Sequence, residues 1–274
     1  MPSKTGKTPA SYYKSDVSVD QSTNVGFDST IRSIISGDGA KSAVSLSDDV
    51  LSVQPVTDNT TGTMLVKNAS GGRILAVDTT NSKVLVGAEQ VAANTQYAYF
   101  GCNSGDPTFA GISADTHYAL PFTIAQFGGT TANFAMGSST SSSFNDTDPA
   151  TSLTISSSGG DIVTAYWYVM DNITIDEVVW WQGADAATGD SNAAHLMAYT
   201  VDRGIGATGG DLSGGVVVAD GATVVNAGYE TARYQSMTIQ SADVDAQKVI
   251  LFTFASDTVN SDYSINATVK YHIR

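Results

Sequence analysis

Ile265-Asn266-Ala267-Thr268-Val269-Lys270-Tyr271-His272-Ile273 is the stretch that decides the fold class. Ile265, Ala267, Val269, Tyr271 and Ile273 fall on one side of an extended chain, and Asn266, Thr268, Lys270 and His272 fall on the other. That period of two is what a half-buried β-strand requires. Upstream, β-branched and aromatic runs with turn residues between them recur at 249–255, 234–240, 215–219, 195–202, 173–181, 162–170, 152–156, 133–136, 118–127 and 97–101. Each reads as a strand. Charged residues make up only 15 % of the chain, below the ~25 % of an average soluble domain. The strong helix formers Glu, Lys and Arg are scarce. Long Gly-containing connections at 185–192 and 204–214 make the strand spacing uneven. An all-β, jelly-roll-like antiparallel β-sandwich over residues 95–274 is therefore expected.

A second pattern lies upstream. Thr63-Met64-Leu65-Val66, Arg73-Ile74-Leu75-Ala76 and Lys83-Val84-Leu85-Val86 recur every ten residues. Between them lie Asn68-Ala69-Ser70-Gly71-Gly72 and Asp78-Thr79-Thr80-Asn81-Ser82, which are turn formers. A strand of about four residues cannot bury a core by itself and needs a neighbouring repeat or another copy of the chain. On that reading residues 61–94 form a short β-repeat neck that trimerises through Leu65, Ile74, Leu75, Val84 and Leu85. The alternative is an ordinary three-stranded meander at the edge of a domain. Short strands are expected at 43–46 and 50–53, and a short helix over Ala88-Glu89-Gln90-Val91-Ala92-Ala93, where the apolar register ends. Residues 1–60 form a polar N-terminal arm, with Lys4, Lys7 and Lys14 interleaved with Tyr12-Tyr13.

The charge is unevenly placed. Residues 1–90 carry eight Lys or Arg against nine Asp or Glu, whereas residues 91–274 carry five against eighteen, a formal charge of −13. No Lys or Arg occurs between Lys83 and Arg203. Such a surface repels phosphate backbones, so nucleic acid is excluded as a partner of this part. Cys102 is the single cysteine, which rules out a disulfide framework. The start Met-Pro-Ser-Lys-Thr-Gly-Lys lacks the apolar core of a signal peptide, and no run is long enough for a membrane-spanning helix. The expectation is a chain made in a cytoplasm, with no membrane insertion.

No catalytic constellation is legible. His117, His195 and His272 are far apart, without metal-ligand spacing, and no nucleophile elbow or phosphate loop occurs. No enzyme, cofactor or metal site is expected. Asp185, Asp190 and Asn192 share one Gly-containing loop, and Asn145, Asp146 and Asp148 share another. Ca²⁺ takes oxygen ligands from such loops, but Asp and Asn also favour turns for local backbone reasons. Aromatic residues cluster at Tyr166-Trp167-Tyr168 and Trp180-Trp181. Adjacent strand residues point to opposite faces, so one of each pair is core and the other is free to contact a partner. Trp167, Trp180 and Trp181 are the candidates for a glycan or partner contact.

The run from Ser33 to Gly87 resembles fibre and appendage proteins of tailed bacteriophages, particularly marine and cyanobacterial ones. The likeness rests on Ile34-Ile35-Ser36-Gly37-Asp38-Gly39, on Val44-Ser45-Leu46-Ser47 and on the strand, polar turn and strand cadence from Met64 to Gly87. The resemblance implies a homotrimer located in the virion. Its N-terminal segment (1–60) would anchor to the major capsid or another virion protein, and a β neck would carry a globular tip. About three repeat units are few for a long fibre, so the expectation is a capsid spike, head fibre or decoration protein. The alternative is a host receptor- or glycan-binding tail fibre or tailspike tip, with a polysaccharide depolymerase behind it.

Overall fold

The computed structural model describes residues 16–21, 26–87, 91–102, 114, 116–122, 149–155, 160–184, 189–226, 231–257 and 263–274. The chain divides into a first unit, Met1–Asn94, and a second, Thr95–Arg274.

Two four-stranded antiparallel meanders make up the first unit. The strands β1 (Val17–Val19), β2 (Arg32–Ser36), β3 (Lys41–Leu46) and β4 (Leu51–Val53) pair in sequence order. So do β5 (Met64–Lys67), β6 (Arg73–Asp78), β7 (Lys83–Val86) and β8 (Val91–Ala92). Local chemistry sets the turns. Asn68 Oδ1 accepts from the Gly72 N–H at 2.7 Å, and Gly71 takes a φ of 87° that glycine alone adopts freely. Asp78 accepts from the N–H groups of Thr80 and Asn81, both at 2.9 Å. The ten-residue units are thus strands of a meander. The helix expected over 88–93 is corrected: Val91 and Ala92 extend the sheet opposite Val86 and Leu85. The ladder overrides alanine's helix preference, and residues 88–90 lie outside the described residues.

The second unit is a two-sheet sandwich. Its first sheet runs β16 (Thr231–Ser236), β12 (Ile173–Ala184), β20 (Tyr263–Ile273), β9 (Thr95–Cys102). The second sheet places β10 (Tyr118–Ala119) and β11 (Trp167–Tyr168) beside β19 (Lys248–Ser256). It continues through β13 (Ser191–Val201), β14 (Leu212–Asp220) and β17 (Thr238–Ile239). Two more strands are attached: β15 (Val224–Val225) on β13, and β18 (Asp243–Val244) on β12 in the first sheet. The pairs β9–β20, β10/β11–β19, β12–β16 and β13–β14 nest one within the next along the sequence. This is the wrapping of one long antiparallel ribbon into two sheets, a jelly roll.

The alternation read in β20 holds, since Ile265, Ala267 and Val269 all enter the core between the sheets. That core also contains Phe100, Trp180, Leu196, Phe252 and Phe254. A separate cluster, including Leu153, Ile162, Met197, Tyr199 and Leu251, covers the outer face of the second sheet. Three strand expectations change. Over 162–170 the chain forms a 3₁₀ helix, Gly160–Ala165, before the two-residue β11. Over 152–156 only Leu153 bridges, to Leu212, among the described residues. The run 234–240 is two strands, because the chain crosses between sheets at Met237, whose N–H donates to the Val178 carbonyl at 2.9 Å. The strand expected at 133–136 and the end of that expected at 118–127 lie outside the described residues.

Candidate functional site: an aromatic outer sheet face

Strand β12 has Val178, Trp180 and Gln182 inside and Val179 and Trp181 outside. Its register places Trp181 between Tyr234 of β16 and Asn266 of β20. Asn266 in turn faces Gly101 of β9, Thr268 faces Tyr99, and Lys270 faces Tyr97. The outward surface therefore carries Trp181 and Tyr234 at one corner and Tyr99 and Tyr97 towards the opposite one. Small and hydroxyl or amide side chains (Ser236, Ser264, Asn266, Thr268) lie between and beside them. Exposures of 48 %, 53 %, 45 % and 52 % for Trp181, Tyr234, Tyr99 and Tyr97 leave all four rings open to solvent. The Trp181 and Tyr234 rings meet at 5.1 Å between centroids, tilted by 57°. Gly101 keeps the floor low, since a Cβ there would clash with the Ile265 carbonyl oxygen. From strand spacing and rise, Trp181 and Tyr99 lie about 12 Å apart.

Of the three tryptophans picked out in the sequence, only Trp181 offers a free ring. Trp180 is buried, donates from Nε1 to Gln235 Oε1 at 2.7 Å and packs on Phe252 and Phe254. Trp167 is buried against Phe100, Phe122 and Tyr271. It only edges a cleft of about 250 Å³ shared with Gln96, Tyr168, Met170 and Tyr271, too small for a drug-sized ligand. The sequence reading missed Tyr97, Tyr99 and Tyr234. Their signal is parity within each strand, and it becomes readable only once cross-strand register is known.

The interior between the two sheets turns polar at one end. Gln182, Asn192, Ser256 and Tyr263 follow Trp180, Ala194, Phe254 and Ile265 outward along their strands. Tyr263 donates to Asp190 Oδ2 at 2.5 Å, and burial is the first cause that raises its hydroxyl pKa. Asp190, one of the loop residues noted for Ca²⁺, thus accepts a tyrosine hydroxyl. Asp185 and residues 145–148 lie outside the described residues. Among the described residues no cluster of three or more His, Cys, Asp or Glu could hold a metal.

The fold brings together two histidines that the sequence separates. His195 and Ala119 both sit opposite Thr253, on either side of β19. The rings of His117 and His195 meet edge to face at 5.0 Å, and His195 Nε2 lies 3.3 Å from Asp220 Oδ1. Both histidines and Thr253 are buried. His272 is held apart by Asp176, with Nδ1 to Oδ2 at 2.9 Å.

In the first unit, the β5–β8 meander distributes the proposed neck residues over both faces. Met64–Val77–Val84 and Val66–Leu75–Val86 form two cross-strand rows on one face, all aliphatic or Met. Leu65, Ala76 and Leu85 form a row on the other. Leu75 and Val84 thus belong to the continuous apolar face, while Leu65, Ile74 and Leu85 lie behind it. Antiparallel pairing is the cause. Leu65 sits opposite Ala76, so Leu75, its equivalent ten residues on, faces the other way. No helix among the described residues is long and apolar enough to cross a membrane. No protein-family model and no curated protein matches the chain.

Proposed function

We propose that this chain is a non-enzymatic, self-assembling display protein. Its first unit joins copies into a homotrimer, and its jelly roll is the part presented. The observation that carries this reading is the lack of a core in the first unit: among its described residues Ala76 is the one buried apolar side chain. Met64, Val66, Val84 and Val86 remain 38–41 % exposed on one face. Burying the rest of these four side chains contributes roughly 2–5 kcal/mol per chain. Summed over three chains that is of the same order as the cost of association, so the face can drive assembly only with further contacts. Val17, Ile31, Leu51 and Ile74, each at least half exposed, are available for them.

The resemblance of residues 33–87 to tailed-phage appendage proteins is what supports locating such an assembly on a virion, as a capsid spike, head fibre or decoration protein anchored through residues 1–60. Jelly rolls also occur in capsid and lectin domains, which is compatible with that role and specific to neither. Native mass of the full chain tests the assembly. A trimer of about 85 kDa is expected, three times the 28.4 kDa of one chain. A monomer at micromolar concentration would overturn the reading.

A further inference from the structure

Beyond assembly, we propose that the outer face of the β16-β12-β20-β9 sheet binds a neutral polysaccharide chain. Pyranose rings stack on Trp181 and Tyr234 at one end of the face and on Tyr99 and Tyr97 at the other. The apolar C–H side of a pyranose is slightly positive and fits the negative face of an aromatic ring. The amide of Asn266 and the hydroxyl of Thr268 lie between the aromatic corners, and Ser236 lies beside Tyr234 on the edge strand, where sugar hydroxyls would need partners.

Geometry and charge narrow the ligand. The face is an open sheet surface, which suits the inner part of a polymer and gives no enclosure for a single sugar. The distance of about 12 Å between Trp181 and Tyr99 is the length of a short oligosaccharide, not of one ring. Residues 95–274 carry five Lys or Arg against eighteen Asp or Glu. Acidic polysaccharides, nucleic acids and a second copy of this same acidic unit are therefore repelled. On the face itself Lys270 stands opposite Glu177, so the two charges offset each other there. An uncharged, hydroxyl-rich chain is what remains. Four half-exposed rings on one plane are also a concentration of apolar surface that a soluble domain rarely leaves without a use.

Native gels cast with dextran, mannan, laminarin or alginate test this on the full chain. Retardation by at least one neutral polymer and none by alginate is expected. Trp181→Ala and Tyr99→Ala should each weaken it about tenfold, the loss of one good stacking contact. Trp181→Phe, which keeps a ring, should retain most of the binding, and Ile205→Ala on a distant exposed loop should leave it unchanged. Should Trp181→Ala melt early, Tyr97→Ala gives the same reading. No retardation by any of the neutral polymers would overturn the proposal. So would equal binding by Trp181→Ala and Tyr99→Ala, or preference for alginate. Loss of a co-purifying protein in Trp181→Ala, without any polysaccharide binding, would reassign the face to a protein partner.

Discussion

Trp180 and Trp181 are neighbours in sequence with opposite fates, and truncating each in turn tests the architecture of the second unit. Trp180 lies in the central strand β12, buried between the sheets, with Phe252 at 6.4 Å and Phe254 at 6.0 Å between ring centroids. Removing a buried tryptophan costs about 3–5 kcal/mol. Gln235 Oε1 would also lose its donor, while Gln235 Nε2 keeps its bond to the Ala222 carbonyl at 2.5 Å. That adds about 1 kcal/mol. Against a total stability of about 5–15 kcal/mol, Trp180→Ala removes about a quarter or more. For a unit of this size the melting temperature should fall by about 8–24 °C. Trp181→Ala removes a half-exposed ring packed on Tyr234 and should cost only about 1 kcal/mol, or about 2–4 °C. Thermal melts followed by far-UV circular dichroism, with urea midpoints alongside, measure both. Equal damage from the two substitutions would refute the assignment of faces. A register shifted by one residue would reverse every inside and outside position on β12.

Cys102 is buried, and burial pushes its thiol pKa up to about 12. It should resist a thiol reagent in the folded protein and react at once in denaturant; fast labelling of the native chain would contradict this. For Asp78 burial acts to raise the pKa. The side-chain and backbone donors of Asn81 and the backbone N–H of Thr80 outweigh it, leaving the carboxyl below its usual value. Its contribution to the β6–β7 turn is therefore present above about pH 3.9 and lost as pH falls through the lower folded value. An NMR titration of the carboxyl carbon should give a midpoint below 3.9, and a midpoint above it would disprove the cradle. Val84→Lys puts a charge on the apolar face of β5–β8 and should convert the proposed trimer to monomer by light scattering while the second unit melts as before. A persisting trimer would place the contact elsewhere.

Strand content was legible wherever a period of two ran for several turns of the pattern, as in β20 and β12. It failed where a short apolar run carries no period, as at 162–170, where a 3₁₀ helix and a two-residue strand share a sequence that reads as one strand. It failed again at Met237, because crossing from one sheet to the other is set by tertiary packing and leaves β propensity unchanged on either side. The ten-residue units were read correctly as strands with turns. Matching Leu65, Leu75 and Leu85 by position nevertheless hid the reversal of direction in a meander, which puts equivalent residues on alternate faces. The aromatic face was half legible. Parity requires Trp180 and Trp181 to diverge, but the partners Tyr234, Tyr99 and Tyr97 come from two strands, one of them far along the chain, and only register joins them. The meeting of His117 and His195 had no sequence signal at all.

The distribution of cores and charge argues for where the proposed assembly would take place. In the second unit the chain passes between sheets at both margins. At one, Phe122 bridges Phe100 of the first sheet shortly after β10 has paired with the second. At the other, β16 and β17 lie in different sheets on either side of Met237. Among the described residues the outer strands β9 and β16 are still paired on one side only along most of their length, but a charge of −13 over residues 91–274 keeps copies apart. The first unit carries no such charge, with eight Lys or Arg against nine Asp or Glu over residues 1–90. Within one chain β1, β4, β5 and β8 are each bonded on one side only among the described residues. The faces between them carry exposed Val, Leu, Ile and Met with almost no interior. Open strand edges beside uncovered apolar faces are an aggregation hazard unless a defined partner covers them. A nearly neutral first unit can accept identical copies without charge repulsion. A closed ring of copies satisfies edges and faces together, whereas a head-to-tail contact that does not close would leave one of each open and grow into a filament.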